Sequence, residues 1–400
     1  MRYDFLVIGS GGLQGKIVAR DLMERGHRLC LADLYRDGSE ELLERDPKAA
    51  FRRIDLRRFR EVAALVARID APIVINCAEG DWNIDVYRAC LAANRHVIDL
   101  GSDIPMTKEQ LALHRLFVRA GLTAITGCGS TPGINNVMLK YASGRLDRFH
   151  TIEVGFAWDA NSKEFVVPFS IESIIEEFTQ PAPAIEDGKW VSHKPFDTVI
   201  ERSFRAIGKQ RCFIVRHPET YTFHREYRKN GLKNLRFYAG FPQHIVDVIT
   251  VLAKLGLGSQ ELVEVDGIEI RPVDALARTL GRLPIPEGYT ETENLWVHVV
   301  GERAGAPVEI RMECIVPTLP GWERAGCNID TGFPASIIAQ MIRDGRITAR
   351  GSFAPGAVVP VESFFQALRE RGMVIYENGK VCTVGTPEKS PEKPAPEKPA

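Results

Sequence analysis

The first third of the chain alternates continuous apolar runs with amphipathic stretches. The run "YDFLVIG" near the start is the pattern of a strand that is buried on both faces of a sheet. The stretch "KIVARDLMERGH" follows it with apolar residues at helical spacing. Further strands are expected, between helical patterns, in "HRLCLADL", "AAFRRIDL", "PIVINCA", "HVIDLGS" and "LTAITGCG". The alternation predicts an α/β fold, a doubly wound parallel sheet of the Rossmann type with helices on both faces.

After residue 147 the pattern changes to alternating strands such as "FHTIEVGFAW" and "VEIRMECIV", with apolar helices between them. This pattern predicts a second, α+β domain whose sheet is covered by helices on one face. We expect a nucleotide-binding domain at 1–130, the second domain at 131–345 and a C-terminal segment at 346–384. Residues 385–400 are rich in proline and charge without apolar anchors, which predicts a disordered tail.

Composition narrows the class of protein. Hydrophobic residues make up 44% and charged residues 26% of the chain, and no run is long enough for a membrane span. The 51 basic residues nearly balance the 52 acids, so nothing favours binding to nucleic acid or to an anionic membrane. No secretory signal follows Met1, and the eight cysteines are scattered without metal-site spacing. We therefore expect a cytoplasmic protein without a metal, whose partner is a small molecule or a second copy.

The loop after the first strand carries four glycines and points to a dinucleotide. Glycines at these spacings let the backbone approach a pyrophosphate at a helix N-terminus, although a simple glycine turn gives the same pattern. The expected cofactor residues of this loop are Gly9, Gly11, Gly12, Leu13, Gln14 and Gly15. Asp33 ends the second strand close to the ~20-residue spacing of a ribose-binding acid. An acid there favours NAD, with NADP possible because Arg36 could meet a 2′-phosphate.

Ligands of doubly wound sheets lie at the carboxyl ends of the strands. The residues expected there beside the cofactor are Asp55, Asn76, Cys77, Ala78, Asp99, Gly101, Cys128 and Pro132. Ser102 and Thr131 are expected beside the substrate. Cys128 has no histidine near it in sequence, so we interpret it as a small packing residue rather than a nucleophile.

Several blocks together resemble the saccharopine dehydrogenase family. These are "VIDLGSD", "ITGCGSTPGINNVMLKYASGRLD", "PFSIESIIEEFTQPAPAIEDGKW" and the stretch from "TGFPASIIAQMIRDGR" to "RERGMVI". The last block is similar to lysine 6-dehydrogenases, a branch of that family. The segment "RHPETYTFHREYRKNGLKNLRFYAGFPQH" is similar to other branches, which act on saccharopine-like or polyamine-like substrates.

The resemblance implies an NAD(P)-dependent oxidoreductase acting on a CH–NH or CH–NH2 group. Oxidative deamination of lysine is the first expectation. Reductive condensation, as in saccharopine reductase or carboxynorspermidine synthase, is the alternative, and a non-catalytic NAD-binding dimer is another. The resemblance also implies that the second domain binds substrate and forms a homodimer, and that 346–384 packs back on the nucleotide domain.

An amino-acid substrate needs an acid or base and a clamp for its carboxylate. The candidate acids and bases are Asp103, His217, Glu219 and His244, and the candidate clamps are Arg211, Arg225 and Arg236. Each has a structural alternative, because Asp103 fits a turn, His217 and Glu219 flank a proline, and Arg225 lies in a charged stretch. The sequence does not choose the general base.

Overall fold

The apolar runs of the first third form parallel strands, as their pattern predicts. The computed structural model describes residues 2–383. The first sheet has seven parallel strands in the order β17-β6-β5-β4-β1-β2-β3. The strands are β1 Phe5–Ile8, β2 Leu29–Asp33, β3 Ala50–Arg53, β4 Ile73–Asn76, β5 His96–Asp99, β6 Thr123–Ile125 and β17 Gly351–Phe353. The order reverses between β1 and β4, which is where such sheets open a ligand crevice.

Helices pack on both faces of this sheet. They are α1 Leu13–Glu24, α2 Glu40–Arg45, α3 Phe59–Arg68, α4 Asn83–Ala92, α5 Ile104–Ala112, α6 His114–Arg119 and α12 Ile329–Arg343. In α1, Ile17, Val18 and Leu22 are buried at helical spacing, as the sequence predicts. The N-terminal Rossmann domain is confirmed.

The second sheet has ten strands and is mostly antiparallel, with one parallel pair between β7 and β12. Its strands are β7 Arg148–Ala160, β8 Ala182–Glu186, β9 Lys189–His193, β10 Val199–Phe204, β11 Gly208–Ile214, β12 Asn234–Gly240, β15 Glu291–Arg303, β16 Ala306–Pro317, β18 Val374–Glu377 and β19 Lys380–Val381. The strand β15 shows the period of two: Leu295, Val297 and Val299 join the main core, whereas Trp296 joins a smaller cluster on the opposite face. This mixed sheet is the α+β domain that the sequence predicts.

Helices and a hairpin complete the second domain. The helices are α7 Ile134–Ser143, α8 Ile171–Thr179, α9 Glu219–Tyr227, α10 Gln243–Lys254, α11 Pro272–Leu280, α13 Pro355–Val358 and α14 Val361–Arg369. The strands β13 Val263–Val265 and β14 Ile268–Ile270 pair only with each other in the described part of the chain.

The chain returns to the first sheet before it ends. The helix α12 packs on α1, and β17 then extends the first sheet beside β6. Arg371 makes a buried ion pair with Asp21 of α1 at 2.8 Å. The returning part therefore begins at residue 329, earlier than the expected start at 346. The expected tail at 385–400 lies outside the described residues.

Candidate active site

The glycine loop is shaped by close backbone contacts. Gly9 has a φ of +77°, and a Cβ there would lie 2.6 Å from the amide nitrogen of Ala78. A Cβ at Gly15 would lie 2.0 Å from the carbonyl oxygen of Gly9, so both positions require glycine. A Cβ at Gly12 would meet nothing closer than 3.5 Å. Gly12 thus borders open space at the N-terminus of α1.

That open space fits a pyrophosphate. Gly12 is the N-cap of α1, and no side chain caps this helix. The N–H groups of its first turn, which include Leu13 and Gln14, have no partner within the helix and favour an anion. The side-chain oxygen of Gln14 is buried without a hydrogen-bond partner among the described residues. The loop therefore has the backbone approach and the free donors that a dinucleotide needs.

Asp33 lies beside this loop at the end of β2. Its carboxylate accepts hydrogen bonds from the amides of Gly11 (2.8 Å) and Leu34 (2.7 Å). The next loop is held close because the hydroxyls of Ser10 and Ser39 are 2.8 Å apart. Asp33 thus fixes the glycine loop and places a negative charge beside it.

A buried carboxylate ties the loops after β5 and β6 to the helices α4 and α5. Asp99 accepts hydrogen bonds from the Tyr87 hydroxyl (2.5 Å), the Gln110 amide (2.7 Å) and the backbone amides of Gly101 (2.7 Å) and Gly127 (3.1 Å). Burial raises its pKa, although these hydrogen bonds oppose the shift. With its oxygens bound by the protein, Asp99 positions the loops instead of presenting a free carboxylate to the cofactor.

The remaining cofactor candidates surround the same edge of the sheet. Asn76 donates to Asn83 at 2.7 Å, and Asp55 is paired with Arg57 at 2.8 Å, which holds the pKa of Asp55 at about 2. Cys77 and Ala78 follow β4 against Gly9, and Pro132 lies against Gly101. Cys128 is fully buried, and burial raises its pKa well above the usual range. A buried neutral thiol agrees with a packing role.

Asp103 and a missed arginine face each other across the two domains. Asp103 caps α5 by accepting from the amide of Met106 at 2.8 Å, and its other oxygen is 3.7 Å from the guanidinium of Arg216. Burial raises the pKa of Glu176 on α8, and the nearby charge of Asp103 adds to this shift. Ser102 lies beside them, within contact of Gly80. Asp103 belongs to the first domain and Arg216 to the second, and we call the junction of the two domains at this contact the cleft.

His217 and Glu219 form a dyad at the start of α9. The Nδ1 atom of His217 makes a short hydrogen bond to a carboxylate oxygen of Glu219, which is fully buried. The imidazole stacks on Phe237 with ring centroids 3.9 Å apart. This geometry fixes the orientation of His217 through a buried carboxylate, as in a base held by a partner acid.

The other predicted substrate residues do not join this group. Arg236 is bound to Glu186 at 2.8 Å on the face of the second sheet opposite Leu235 and Phe237. Arg211 and Arg225 are exposed, and Arg211 pairs in register with Glu201. His244 lies in the first turn of α10, where burial and the nearby Lys163 lower its pKa. The structure thus offers Arg216 at the cleft, while Thr131 lies in the loop before Pro132.

Sequence reasoning missed a pair of carboxyls, of which Asp330 is buried and Glu293 is partly buried. Glu293 of β15 and Asp330 of α12 lie close enough to influence each other's pKa, and the Oδ2 atom of Asp330 has no hydrogen-bond partner among the described residues. Thr331, the next residue, has its hydroxyl 3.1 Å from that of Ser130, in the loop after β6. The pair therefore lies beside the loop expected to face the nicotinamide. The sequence feature that could have indicated Glu293 is the alternating pattern of β15, which places Glu291 and Glu293 on the same face as Leu295.

Burial controls the charge of this pair. Burial and the neighbouring Asp330 raise the pKa of Glu293 well above its usual range, and burial raises that of Asp330 to about 7. Burial also raises the pKa of Glu177, whose Oε2 atom has no hydrogen-bond partner among the described residues. Such carboxyls hold a proton when alone and become anionic when a cation binds. We name Glu177, Glu293 and Asp330 the acidic pocket.

The comparisons with known proteins fit this geometry. Residues 5–125 match the model described as "Saccharopine dehydrogenase NADP binding domain", so the protein is an NAD(P)-dependent oxidoreductase with its cofactor on the first sheet. Residues 129–373 match the model described as "Saccharopine dehydrogenase C-terminal domain". Together these matches span both domains, and the chain belongs to the saccharopine dehydrogenase family.

Individual relatives are distant but extensive. A carboxyaminopropylagmatine dehydrogenase from Synechocystis sp. is 24% identical over 388 residues, covering 93% of this chain and 96% of that protein. A carboxynorspermidine synthase from Vibrio alginolyticus is 24% identical over 319 residues, covering 73% of this chain and 74% of the relative. The structure of apo saccharopine dehydrogenase (L-Glu forming) from Saccharomyces cerevisiae matches with a TM-score of 0.73 at 14% identity, covering 95% of this chain and 100% of that one. This last likeness confirms the fold.

None of the helices within the described residues 2–383 has the length and apolar character needed to cross a membrane. In the same range, no group of three or more His, Cys, Asp or Glu side chains is arranged to hold a metal ion.

Proposed function

We propose that this protein catalyses the reductive condensation of a carboxyl-bearing aldehyde with the amine of a second, cationic substrate. The amine and aldehyde lose one water to form an imine, and NADPH supplies a hydride to the imine carbon. With one proton, the products are a secondary amine, NADP+ and water. The relatives named above carry names of carboxylated polyamines or agmatine, which favours this reaction over the lysine deamination expected from the C-terminal block.

The acidic pocket is the observation that carries this proposal. A substrate amine with a second ammonium or guanidinium group needs anionic partners, and its hydrogen bonds to a carboxylate are stronger than those between neutral groups. Glu293 and Asp330 lie beside Ser130 and Thr331, at the cofactor loop. The pocket can therefore hold a cationic end while the other amine reaches the reacting carbon.

Other residues at the cleft and the glycine loop can bind the aldehyde, transfer protons and hold the dinucleotide. Arg216, whose guanidinium is 3.7 Å from Asp103 at the cleft, can bind the aldehyde's carboxylate. His217, oriented by Glu219, can take the proton from the attacking ammonium and return it to the departing hydroxyl. The glycine loop and Asp33 hold the dinucleotide.

The reaction is tested by the loss of NADPH absorbance with purified protein. Agmatine or a diamine together with an amino-acid semialdehyde should consume NADPH, and either substrate alone should not. Lysine with NAD+ or NADP+ is run in parallel at alkaline pH. Reduction of the oxidised cofactor by lysine, with no consumption of NADPH by any pair, would establish deamination instead.

A variant pair tests the acidic pocket. Glu293→Gln keeps the shape of the side chain and removes its charge, so the KM for the amine should rise by roughly 10- to 100-fold, the ~1.5–3 kcal/mol of a hydrogen bond to a charged group. The KM for NADPH should not change. Glu309→Gln is the matched control, because Glu309 is an exposed carboxylate of β16 paired with Arg311. If the KM for the amine is unchanged in Glu293→Gln, the acidic pocket does not bind the substrate.

A further inference from the structure

The side chain of Asn328 connects the glycine loop to the second domain. Asn328 directly precedes α12, and its Oδ1 atom accepts a hydrogen bond from the Nε2 atom of Gln14, in the first turn of α1, at 3.4 Å. Its Nδ2 atom donates to the carbonyl oxygen of Pro168 at 2.9 Å, in the loop between β7 and α8. Asn328 therefore joins α1, the start of α12 and the loop before α8.

This side chain does not cap the helix that it precedes. An asparagine at the N-cap of a helix usually accepts a hydrogen bond from an amide of the first turn. Asn328 occupies that position of α12 and makes no such bond, because both ends of its amide are bound to other elements. The turn before it is held by Glu291 of β15, which accepts from the amide of Cys327. The Asn328 side chain thus serves contacts between elements and not the stability of α12.

The loop that receives the bond from Asn328 has few other attachments. Residues 161–170 contain no helix or strand. Between residues 163 and 169, the bond from Asn328 is the one hydrogen bond that joins this loop to another element within residues 2–383. Pro168 lies three residues before α8, which carries Glu176 near Asp103 and Glu177 of the acidic pocket. Asn328 therefore fixes the point at which the chain enters this helix.

The Gln14 end of the connection has an unused acceptor. The Oε1 atom of Gln14 is buried and has no hydrogen-bond partner among the described residues, and Gln14 lies in the helix turn that borders the open space at Gly12. A buried acceptor without a partner is costly, so Gln14 is stabilised when a hydroxyl or amide of a bound dinucleotide donates to it. The two helices are close here, since a Cβ at Gly332 of α12 would lie 2.3 Å from Cγ2 of Ile17.

We propose that Asn328 is a positioning residue through which a dinucleotide at the glycine loop orders the loop before α8. When Gln14 is fixed by the dinucleotide, its Nε2 atom fixes the amide of Asn328, which in turn holds Pro168. Part of the conformational freedom that α8 loses when a cation enters the acidic pocket is then already lost, which favours binding there. The inference rests on the proposed function for the role of the acidic pocket, but the ordering of the loop can be measured without any amine.

Hydrogen–deuterium exchange of the full chain, with and without NADPH at a concentration that saturates its fluorescence, tests this proposal. In the wild type, NADPH should slow exchange in residues 7–24, around the glycine loop, and in residues 161–179, by about fivefold or more. Asn328→Ala should still bind NADPH and protect 7–24, but it should lose most of the protection of 161–179. Asn328→Asp keeps the acceptor for Gln14 and removes the donor to Pro168, so the same loss is expected.

Gln340→Ala is the matched control. Gln340 bonds to His27 at 3.2 Å and so connects α12 to the first domain near the other end of the helix. In this variant NADPH should protect 161–179 as it does in the wild type.

Three results would overturn the proposal. They are a wild-type chain in which NADPH does not protect 161–179, equal protection of 161–179 in Asn328→Ala and wild type, and an equal loss in Gln340→Ala. If the exchange results are as expected but no amine is condensed with an aldehyde, the proposed reaction is wrong and the positioning role of Asn328 is retained.

Discussion

Asp33 has two roles that can be separated at the residue scale. One is structural, because its carboxylate accepts from the amides of Gly11 and Leu34. The other is its charge, which would repel the 2′-phosphate of NADP and accept hydrogen bonds from the ribose of NAD. The first domain matches a model described as NADP binding, whereas the sequence favours NAD, so the preference between the two stays a prediction.

Asp33→Asn isolates the charge. The amide oxygen can still accept from Gly11, so the loop should remain in place. Without the charge, the ratio of the KM for NADP to that for NAD should fall by about tenfold, or about 1.4 kcal/mol. Steady-state kinetics with both cofactors measures this ratio. Asp70→Asn, at the opposite edge of the sheet, is the control and should leave this ratio unchanged. If Asp33→Asn changes the KM for NAD and the KM for NADP by the same factor, Asp33 does not bind the ribose.

Asp330 predicts a pH dependence of stability. Its pKa is raised by burial from 3.8 to about 7, so the folded chain keeps a proton that the unfolded chain releases. The free energy of unfolding should therefore fall as pH rises from about 4 to about 7. The variant Asp330→Asn has no carboxyl to titrate, so its free energy of unfolding should not fall in this way. The difference in free energy of unfolding between Asp330→Asn and wild type should therefore grow in favour of the variant by roughly 1–3 kcal/mol between about pH 5 and pH 8.

Urea unfolding at a series of pH values measures this difference. Asp344→Asn, an exposed acid at the end of the same helix, is the control and should follow the wild-type profile. Parallel curves for Asp330→Asn and wild type would show that Asp330 does not retain a proton in the folded chain.

At the scale of elements, substitutions at two glycines of the same loop should have different effects, one on nucleotide binding and the other on stability. Gly12→Val places its side chain in open space, so the fold should be kept while nucleotide binding is lost. Gly15→Ala drives a Cβ into the carbonyl of Gly9, so the protein should lose roughly 1–3 kcal/mol or more of stability. Thermal unfolding and NADPH fluorescence separate the two effects. NADPH binding by Gly12→Val at wild-type affinity would mean that the loop is only a turn.

The elements show where sequence reasoning succeeds. Six strands of the first sheet and the helix α1 are predicted because each is a local apolar pattern between turns. The seventh strand, β17, is a three-residue strand whose place beside β6 depends on 225 residues of intervening chain, and no local pattern reveals it. The hairpin β13–β14 and helix α9 were likewise not foreseen.

The site shows the same limit. Gly9, Gly15 and Asp33 could be found because a dinucleotide loop is contiguous and has a fixed spacing. Glu293 and Asp330 lie on a strand and a helix that meet only in the folded chain, so their proximity has no sequence signature. Arg236 was chosen for its residue type, but its position on β12 turns it to the other face.

At the scale of the whole molecule, the path of the chain builds the cleft. The helix α12 lies on α1 of the first domain. The first turn of α12 places Asp330 and Thr331 beside Ser130, in the loop after β6. The strand β15 of the second domain brings Glu293 to the same point. The buried pair of Arg371 and Asp21 fastens the end of the chain to α1. The acidic pocket therefore forms only when both domains are in place.

The identity of the reaction product tests the central claim most directly. Purified protein is incubated with NADPH, agmatine and aspartate semialdehyde, and the mass of the product is measured by mass spectrometry. The account predicts a compound with the combined mass of amine and aldehyde, less one water and plus two hydrogens, formed in step with NADPH consumption. If instead no such compound forms with agmatine or any diamine, and lysine alone reduces the oxidised cofactor, the protein is an oxidative deaminase and the proposed condensation is wrong.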